Sequence, residues 1–222
     1  MKAEEGASYL LRPMTADDIP QVVEIELEAF PTVWPPTSFK RELRSPLTGY
    51  LVVVAPGVKV RPSTRQPSPT ASLVRHIARA LRSLLGRPEP QVPQGPLDLV
   101  VGYVGIWFMA DEAHITSIAV RETYRGEGLG ELLVIGAIEL ALRKGCRQAT
   151  LEARVSNRLA QSLYEKYGFR RAGIRKAYYT DNLEDAVIMT TDPIDSPQYR
   201  ERFGHLVDVF HRRHGEPSMI LT

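Results

Sequence analysis

Along the middle of this chain the apolar positions recur with two different periods, and the switches between the periods mark its elements. Ile115 to Val120 is rich in β-branched residues and predicts a strand. From Leu129 the apolar or small positions are Leu132, Leu133, Gly136, Ala137, Leu140 and Ala141, the stripe of one helix face. Lys144 and Gly145 give that helix a cationic last turn and a glycine stop. Ala149 to Val155 reads as another strand. Asn157, Gln161 and Tyr164 then share one face of a helix that Gly168 ends. Arg170 to Tyr179 and Glu184 to Thr190 predict a closing hairpin around Thr180-Asp181-Asn182. Strand and helix periods in alternation argue an α/β unit.

The N-terminal part repeats the alternation. Tyr9 to Pro13 reads as a strand, and Thr15 with Asp18 three residues on reads as a helix N-cap. Ile19, Val22, Val23, Leu27 and Phe30 form the stripe of that helix, which Pro31 ends. A stiff aromatic loop through Trp34, a short helix over 38–44 and a strand over Gly49 to Val54 follow. Val100 to Ala110 is a long strand in which Gly102 and Gly105 mark bends, and His114 to Val120 is the next. With the first two they make an antiparallel meander. Near the C-terminus Tyr199, Phe203, Leu206, Val207 and Phe210 stand at helical spacing. That helix either packs back on the domain or binds a partner or a second copy.

Residues 56–98 break the pattern. They hold eight of the seventeen prolines and seven cations against two anions, which predicts a basic insertion with two Pro-rich arms. Within it, 72–86 is helical by period, with Arg75, Arg79 and Arg82 opposite the apolar face. Such a helix suits docking on its own domain, a membrane surface or a nucleic acid. The insertion is expected to be dispensable for chemistry.

Composition narrows the class. A hydrophobic share of 43% in 222 residues supports a real core, and a net charge of +2 gives no whole-chain attraction to nucleic acid. Cys146 stands alone, so no intramolecular disulfide forms, which fits a reducing, cytoplasmic location. The N-terminus has no apolar signal core, and the longest apolar run, Leu99 to Ala110, is shorter than the ~18 residues of a transmembrane segment.

The candidate chemistry begins at Arg125-Gly126-Glu127-Gly128-Leu129-Gly130, between a strand and a helix. Glycine there lets a backbone approach a ligand, and the free N–H groups and positive helix end suit a pyrophosphate. The even glycine spacing departs from Gly-x-Gly-x-x-Gly, and no Gly-Lys-Ser/Thr follows. A plain strand-to-helix turn is the alternative.

Arg-x-x-Gly-x-Gly after a strand resembles the acetyl-coenzyme-A turn of the GNAT acetyltransferases. The likeness continues through Ser117 to Val120, Tyr124, Leu151 to Arg154, Ser156-Asn157, Leu163 to Glu165 and Tyr167 to Phe169. It extends to Arg175, Tyr178-Tyr179, Glu184 to Ala186 and Met189. This string is similar to the RimI type, which acetylates the N-terminal alanine of a small-subunit ribosomal protein. It covers roughly 9–55 and 100–193.

The resemblance implies an α/β (α+β) GNAT fold: a mixed, mostly antiparallel sheet of about seven strands flanked by helices. The acetyltransferase domain would span 1–193 around the insertion, with a helical extension over 194–222. Acetyl-coenzyme A would be the co-substrate. Ile118, Ala119 and Val120 would pair with its pantetheine through their backbone. Arg125, Gly126, Glu127, Gly128, Leu129, Gly130 and Glu131 would hold the pyrophosphate, and Asn157 the pantetheine arm. Glu152 would be the general base and Tyr164 the general acid. Phe30, Trp34, Tyr178 and Tyr179 would wall the acceptor side, the acceptor being a protein N-terminus, in particular of a ribosomal protein. No metal is implied, and His205, His211 and His214 in the tail read as solvated.

On the residues alone, bland readings stand beside these. Glu152 pairs equally well with Arg154, Tyr164 and the Tyr178-Tyr179 pair suit core or cross-strand packing, and Phe30 and Trp34 suit a core edge. The acceptor is open as well. An α-amine of pKa about 8 is roughly a tenth neutral at pH 7 and a lysine amine far less, which favours an N-terminus. Lysine, a small-molecule amine, or a non-catalytic coenzyme-binding, ribosome-associated module remain as alternatives.

Overall fold

The computed structural model describes residues 8–30, 37–60 and 96–221. Trp34 and the helix expected over 72–86 lie outside them. The chain divides into two compact units, Met1–Val58 with Asp98–Thr222, and Lys59–Leu97. Of the second unit, the described residues are Lys59, Val60, Pro96 and Leu97.

The strands are β1 (Leu10–Pro13), β2 (Thr48–Val60), β3 (Leu97–Met109), β4 (Glu112–Val120), β5 (Gln148–Arg154), β6 (Phe169–Tyr179), β7 (Glu184–Thr191) and β8 (Ser218–Met219). The helices are α1 (Ile19–Ala29), α2 (Phe39–Glu42), α3 (Leu129–Arg143), α4 (Arg158–Lys166) and α5 (Pro197–His214). α1 begins four residues after Thr15. Asp18 draws its carboxylate onto the Thr15 N–H at 2.7 Å and onto Arg12 at 2.7 and 2.8 Å, and the intervening Ala16–Asp18 turn is 3-10.

One sheet runs in the order β6-β7-β5-β4-β3-β2-β1-β8. It has eight strands rather than about seven, because the C-terminal tail adds β8 parallel to β1. The feature that matters for function lies between β4 and β5. Their parallel pairing runs from Glu112↔Gln148 to Ile115↔Leu151 and stops. β5 continues against β7 as far as Arg154↔Ala186, while β4 continues against β3 as far as Val120↔Gly102. The β3–β4 register shifts between Gly105 and Ile106, leaving Thr116 as an extra residue on β4. An extra residue bends its strand, so β4 turns away from β5 where their pairing ends. Among the described residues no strand covers that edge of 116–120.

α3 is buried on more than the one face its stripe predicts. Val134, Ile135 and Ile138 are fully buried along with Leu132, Leu133 and Ala137. Each of the Val, Leu and Ile side chains contributes about 1.5–3 kcal/mol when fully covered. One face meets the sheet closely enough that a Cβ at Gly136 would stand 2.4 Å from Leu11. The tail supplies further apolar cover: Tyr199, Phe203, Phe210 and Leu221 join the same core, and Arg143 donates to the Leu221 carbonyl at 3.0 Å. No described helix is long and apolar enough to cross a membrane.

Candidate active site

The turn between β4 and α3 has the backbone its glycines permit. Gly126 sits at φ +85° and Gly128, the N-cap of α3, at φ +82°. A side chain in this left-handed region costs about 1–2 kcal/mol. The first helical bond of α3 runs from the Leu132 N–H to the Gly128 carbonyl at 3.0 Å. The N–H groups of Leu129, Gly130 and Glu131 therefore have no partner within the helix. Those donors and the positive end of α3 suit a diphosphate.

Two carboxylates in this turn are drawn aside from it. Glu127 accepts a hydrogen bond from the Tyr9 hydroxyl. Glu131 binds the Lys166 ammonium and accepts from the Tyr167 hydroxyl at 2.7 Å. Burial pushes the Glu131 carboxyl up, but the Lys166 and Tyr167 hydrogen bonds outweigh it and hold it below the usual range. Glu131 is thus tied to the end of α4 through its side chain. Arg125 is exposed, its Nε 3.4 Å from the Val120 carbonyl.

The tail reaches the same turn. A Cβ on Gly128 would meet three atoms of the His214 ring at 2.7–2.9 Å. His214 also stacks on Phe210, with centroids 4.9 Å apart. His211 has a buried Nε2 without a hydrogen-bond partner. His211 departs from the solvated histidine its sequence setting suggests, because it is partly buried where α5 packs on the protein; His205 and His214 are exposed as expected.

Beyond the splay, Glu152 stands on β5 with its side chain 6% exposed. Its Oε2 is 2.9 Å from His114 Nε2, and its Oε1 is 3.1 Å from Arg175 Nε. The alternative partner, Arg154, goes elsewhere: to Asp181 at 2.7 Å, to Glu184 at 3.2 Å, and over the Tyr179 ring at 3.9 Å. His114 and Arg175 are the residues that sequence reasoning left without a role. The register explains His114. It lies opposite Thr150, so Glu152, two residues on, shares its face and is a diagonal neighbour. Finding it requires knowing that β4 and β5 pair.

Tyr178 is half exposed and meets Tyr179 edge-on at 5.2 Å, with the Arg175 guanidinium 5.8 Å over its ring. Tyr164 is buried in α4 against Phe169, and that burial pushes its hydroxyl well above the usual tyrosine range. Tyr179 is within electrostatic reach of both Tyr164 and Glu152. Asn157 caps α4, its Oδ1 accepting from the Ala160 N–H at 3.1 Å, which leaves its amide nitrogen to donate. Gln161 donates to the Arg154 and Val155 carbonyls and fastens α4 to the end of β5. Phe30 closes α1 and, partly buried, packs against the core cluster of Met14, Val22 and Ile25. Among the described residues no group of three or more potential metal ligands occurs.

A ligand with an extended amide-bearing arm and a diphosphate fits this layout. The uncovered β4 edge offers alternating N–H and C=O groups to the arm, and the adjoining turn offers N–H groups to the diphosphate. A Cβ added to Gly126 would meet nothing within 4 Å, so the outer surface of the turn is open at that point.

Known proteins share the pattern. The model of the Acetyltransferase (GNAT) family matches residues 71–169. A Bacillus subtilis (strain 168) protein, provisionally named a ribosomal protein bS18-alanine N-acetyltransferase, is 39% identical over 180 residues, 81% of this chain and 92% of that protein. The ribosomal protein bS18-alanine N-acetyltransferase of Escherichia coli (strain K12) is 44% identical over 81 residues, 36% of this chain and 55% of that one. Among solved structures, the ribosomal-protein-S18-alanine N-acetyltransferase from Escherichia coli superposes with a TM-score of 0.61 at 24% identity, covering 85% of this chain and 95% of that chain. Splayed strands, an amide-bearing turn at a helix mouth and a relative alike over most of its length converge, and the chain belongs to the GNAT family of acetyltransferases.

Proposed function

We propose that this protein transfers the acetyl group of acetyl-coenzyme A to the N-terminal α-amine of a protein, by direct attack in a ternary complex. Its acceptor is the N-terminal alanine of ribosomal protein bS18, the substrate in its relatives' names. A ribosomal acceptor sets the reaction in the cytoplasm. The observation that carries the reading is Glu152: a mostly buried carboxylate held by two side chains just past the point where β4 and β5 part.

When bound, acetyl-coenzyme A supplies an activated acetyl thioester. The protein's own groups bind, orient and move protons. Backbone groups of Ile118, Ala119 and Val120 pair with the pantetheine amides, and the Asn157 amide nitrogen donates to the same arm. The N–H groups of the turn from Gly126 to Glu131, with Arg125, hold the diphosphate. Glu152 accepts the proton of the α-amine, with His114 fixing the carboxylate from one side. Tyr164, kept protonated by its burial, gives its proton to the departing sulfur. Tyr178 and Tyr179 border the acceptor's path. Phe30 and Trp34 belong to the loop that would face the acceptor's first residues, and no metal enters the scheme.

Mass spectrometry of peptides incubated with the protein and acetyl-coenzyme A tests this. An alanine-starting peptide gains one acetyl group on its α-amine. Coenzyme binding without transfer to any N-terminal amine would refute the assignment.

A further inference from the structure

A binding seat for an ammonium group has two usual components, a carboxylate and an aromatic face within about 6 Å of the cation. Both are present beside the splay, as Glu152 and Tyr178. The seat is already filled by the protein's own cation. Arg175 places Nε 3.1 Å from Glu152 Oε1 and its guanidinium carbon 5.8 Å from the Tyr178 ring centroid. The other carboxylate oxygen faces His114, and Tyr178 and Tyr179 also lie within electrostatic reach of Glu152. The Arg175 side chain is 55% exposed while that of Glu152 is 6% exposed, so the arginine comes from the solvent side of a sheltered carboxylate.

We infer that Arg175 determines acceptor specificity by occupying the cation seat, so that amines arriving as ammonium ions are refused and neutral α-amines are taken. This rests on the reading of Glu152 as the group that receives the acceptor's proton. With the guanidinium in place, the charge of the carboxylate is matched before any acceptor arrives, and a lysine or polyamine finds no counter-ion. An amine must then enter neutral. That is cheap for an α-amine of pKa about 8 and costly for a lysine amine of pKa about 10.4. Without Arg175, the same carboxylate and ring would attract a long cationic side chain and discharge it in place.

The test compares kcat/KM for an alanine-starting peptide, an N-terminally blocked peptide carrying one lysine, and spermidine. Wild type, Arg175→Gln and Arg175→Lys are each checked for unchanged thermal melting. The inference predicts that Arg175→Gln shifts the ratio toward the two cationic acceptors by about fivefold, the upper scale of one lost solvent-screened charge pair. Arg175→Lys, which keeps a cation on the seat, retains the wild-type ratio. If Arg175 merely steadies Glu152, all acceptors fall by a common factor and the ratio stays fixed, which overturns the inference while leaving the N-terminal reading intact. A wild type that prefers the lysine peptide to the alanine peptide overturns both.

Discussion

In the proposed reading the coenzyme half of the site is made mostly of backbone, and the acceptor half of side chains. On the first side the working parts are the uncovered edge of β4 and the N–H groups at the mouth of α3, set by a bulge at Thr116 and two glycines at positive φ. On the second they are Glu152, His114 and Arg175, which come from three strands and hold each other at 2.9 and 3.1 Å. Backbone groups offer the same recognition whatever the neighbouring side chains, so this half suits a ligand common to a family. Side-chain pairs can be exchanged one residue at a time, so the other half suits an acceptor that varies. The difference predicts that changes on each side damage different steps.

After the change at Glu152, the largest effect is expected from Tyr164→Phe. Loss of the proposed proton donor should lower turnover by about a hundredfold, within the range for a general acid, while coenzyme affinity stays at the wild-type value. Burial holds the Tyr164 hydroxyl above its ordinary value. Its protonated form therefore persists through pH 10, and turnover in the wild type shows no alkaline decline from this group. A steady-state pH profile with parallel calorimetry checks both points.

On the backbone side the order reverses, with affinity lost first. Ala at 126 and Ala at 128 both carry the left-handed strain of about 1–2 kcal/mol. Only at 128 does the new methyl also strike the His214 ring, at 2.7–2.9 Å. Gly128→Ala should weaken coenzyme binding about tenfold more than Gly126→Ala, and His214→Ala in the same chain should remove the excess. Calorimetric dissociation constants for the three variants decide it, and equal losses at 126 and 128 would show that the tail contact is irrelevant to the turn.

This division also explains what the sequence discloses. The turn was legible because glycines at 126 and 128 announce a backbone conformation locally. The order of strands and helices was legible because each apolar stripe is local too. His114 was not, since its meaning depends on a parallel pairing with residues 36 positions away and on the register of that pairing. The same holds for Arg175, whose role appears once β6 is known to lie two strands from β5. The tail helix was foreseen from its period. Its embrace of α3 had a trace in the sequence, because Val134, Ile135 and Ile138 are apolar positions that a single buried face does not use.

The smallest expected effect concerns neither half. We propose that the basic stretch 56–98 is an insertion that serves something other than chemistry. Replacing 61–95 by a short glycine-serine linker should leave turnover on an alanine-starting peptide within about twofold, since shortening a long connection changes closure entropy little. A folded protein that loses catalysis on this replacement would give the segment a part in the reaction.

The central claim is that Glu152 serves proton transfer on the acceptor side while coenzyme binding rests on the backbone of β4 and the turn. Glu152→Gln keeps shape and removes the charge, and its kcat and coenzyme dissociation constant can be measured on one preparation. The account predicts a fall in kcat of about a hundredfold to ten-thousandfold with the dissociation constant unchanged. Full turnover in that variant would contradict it, as would a loss of coenzyme affinity large enough to explain the defect.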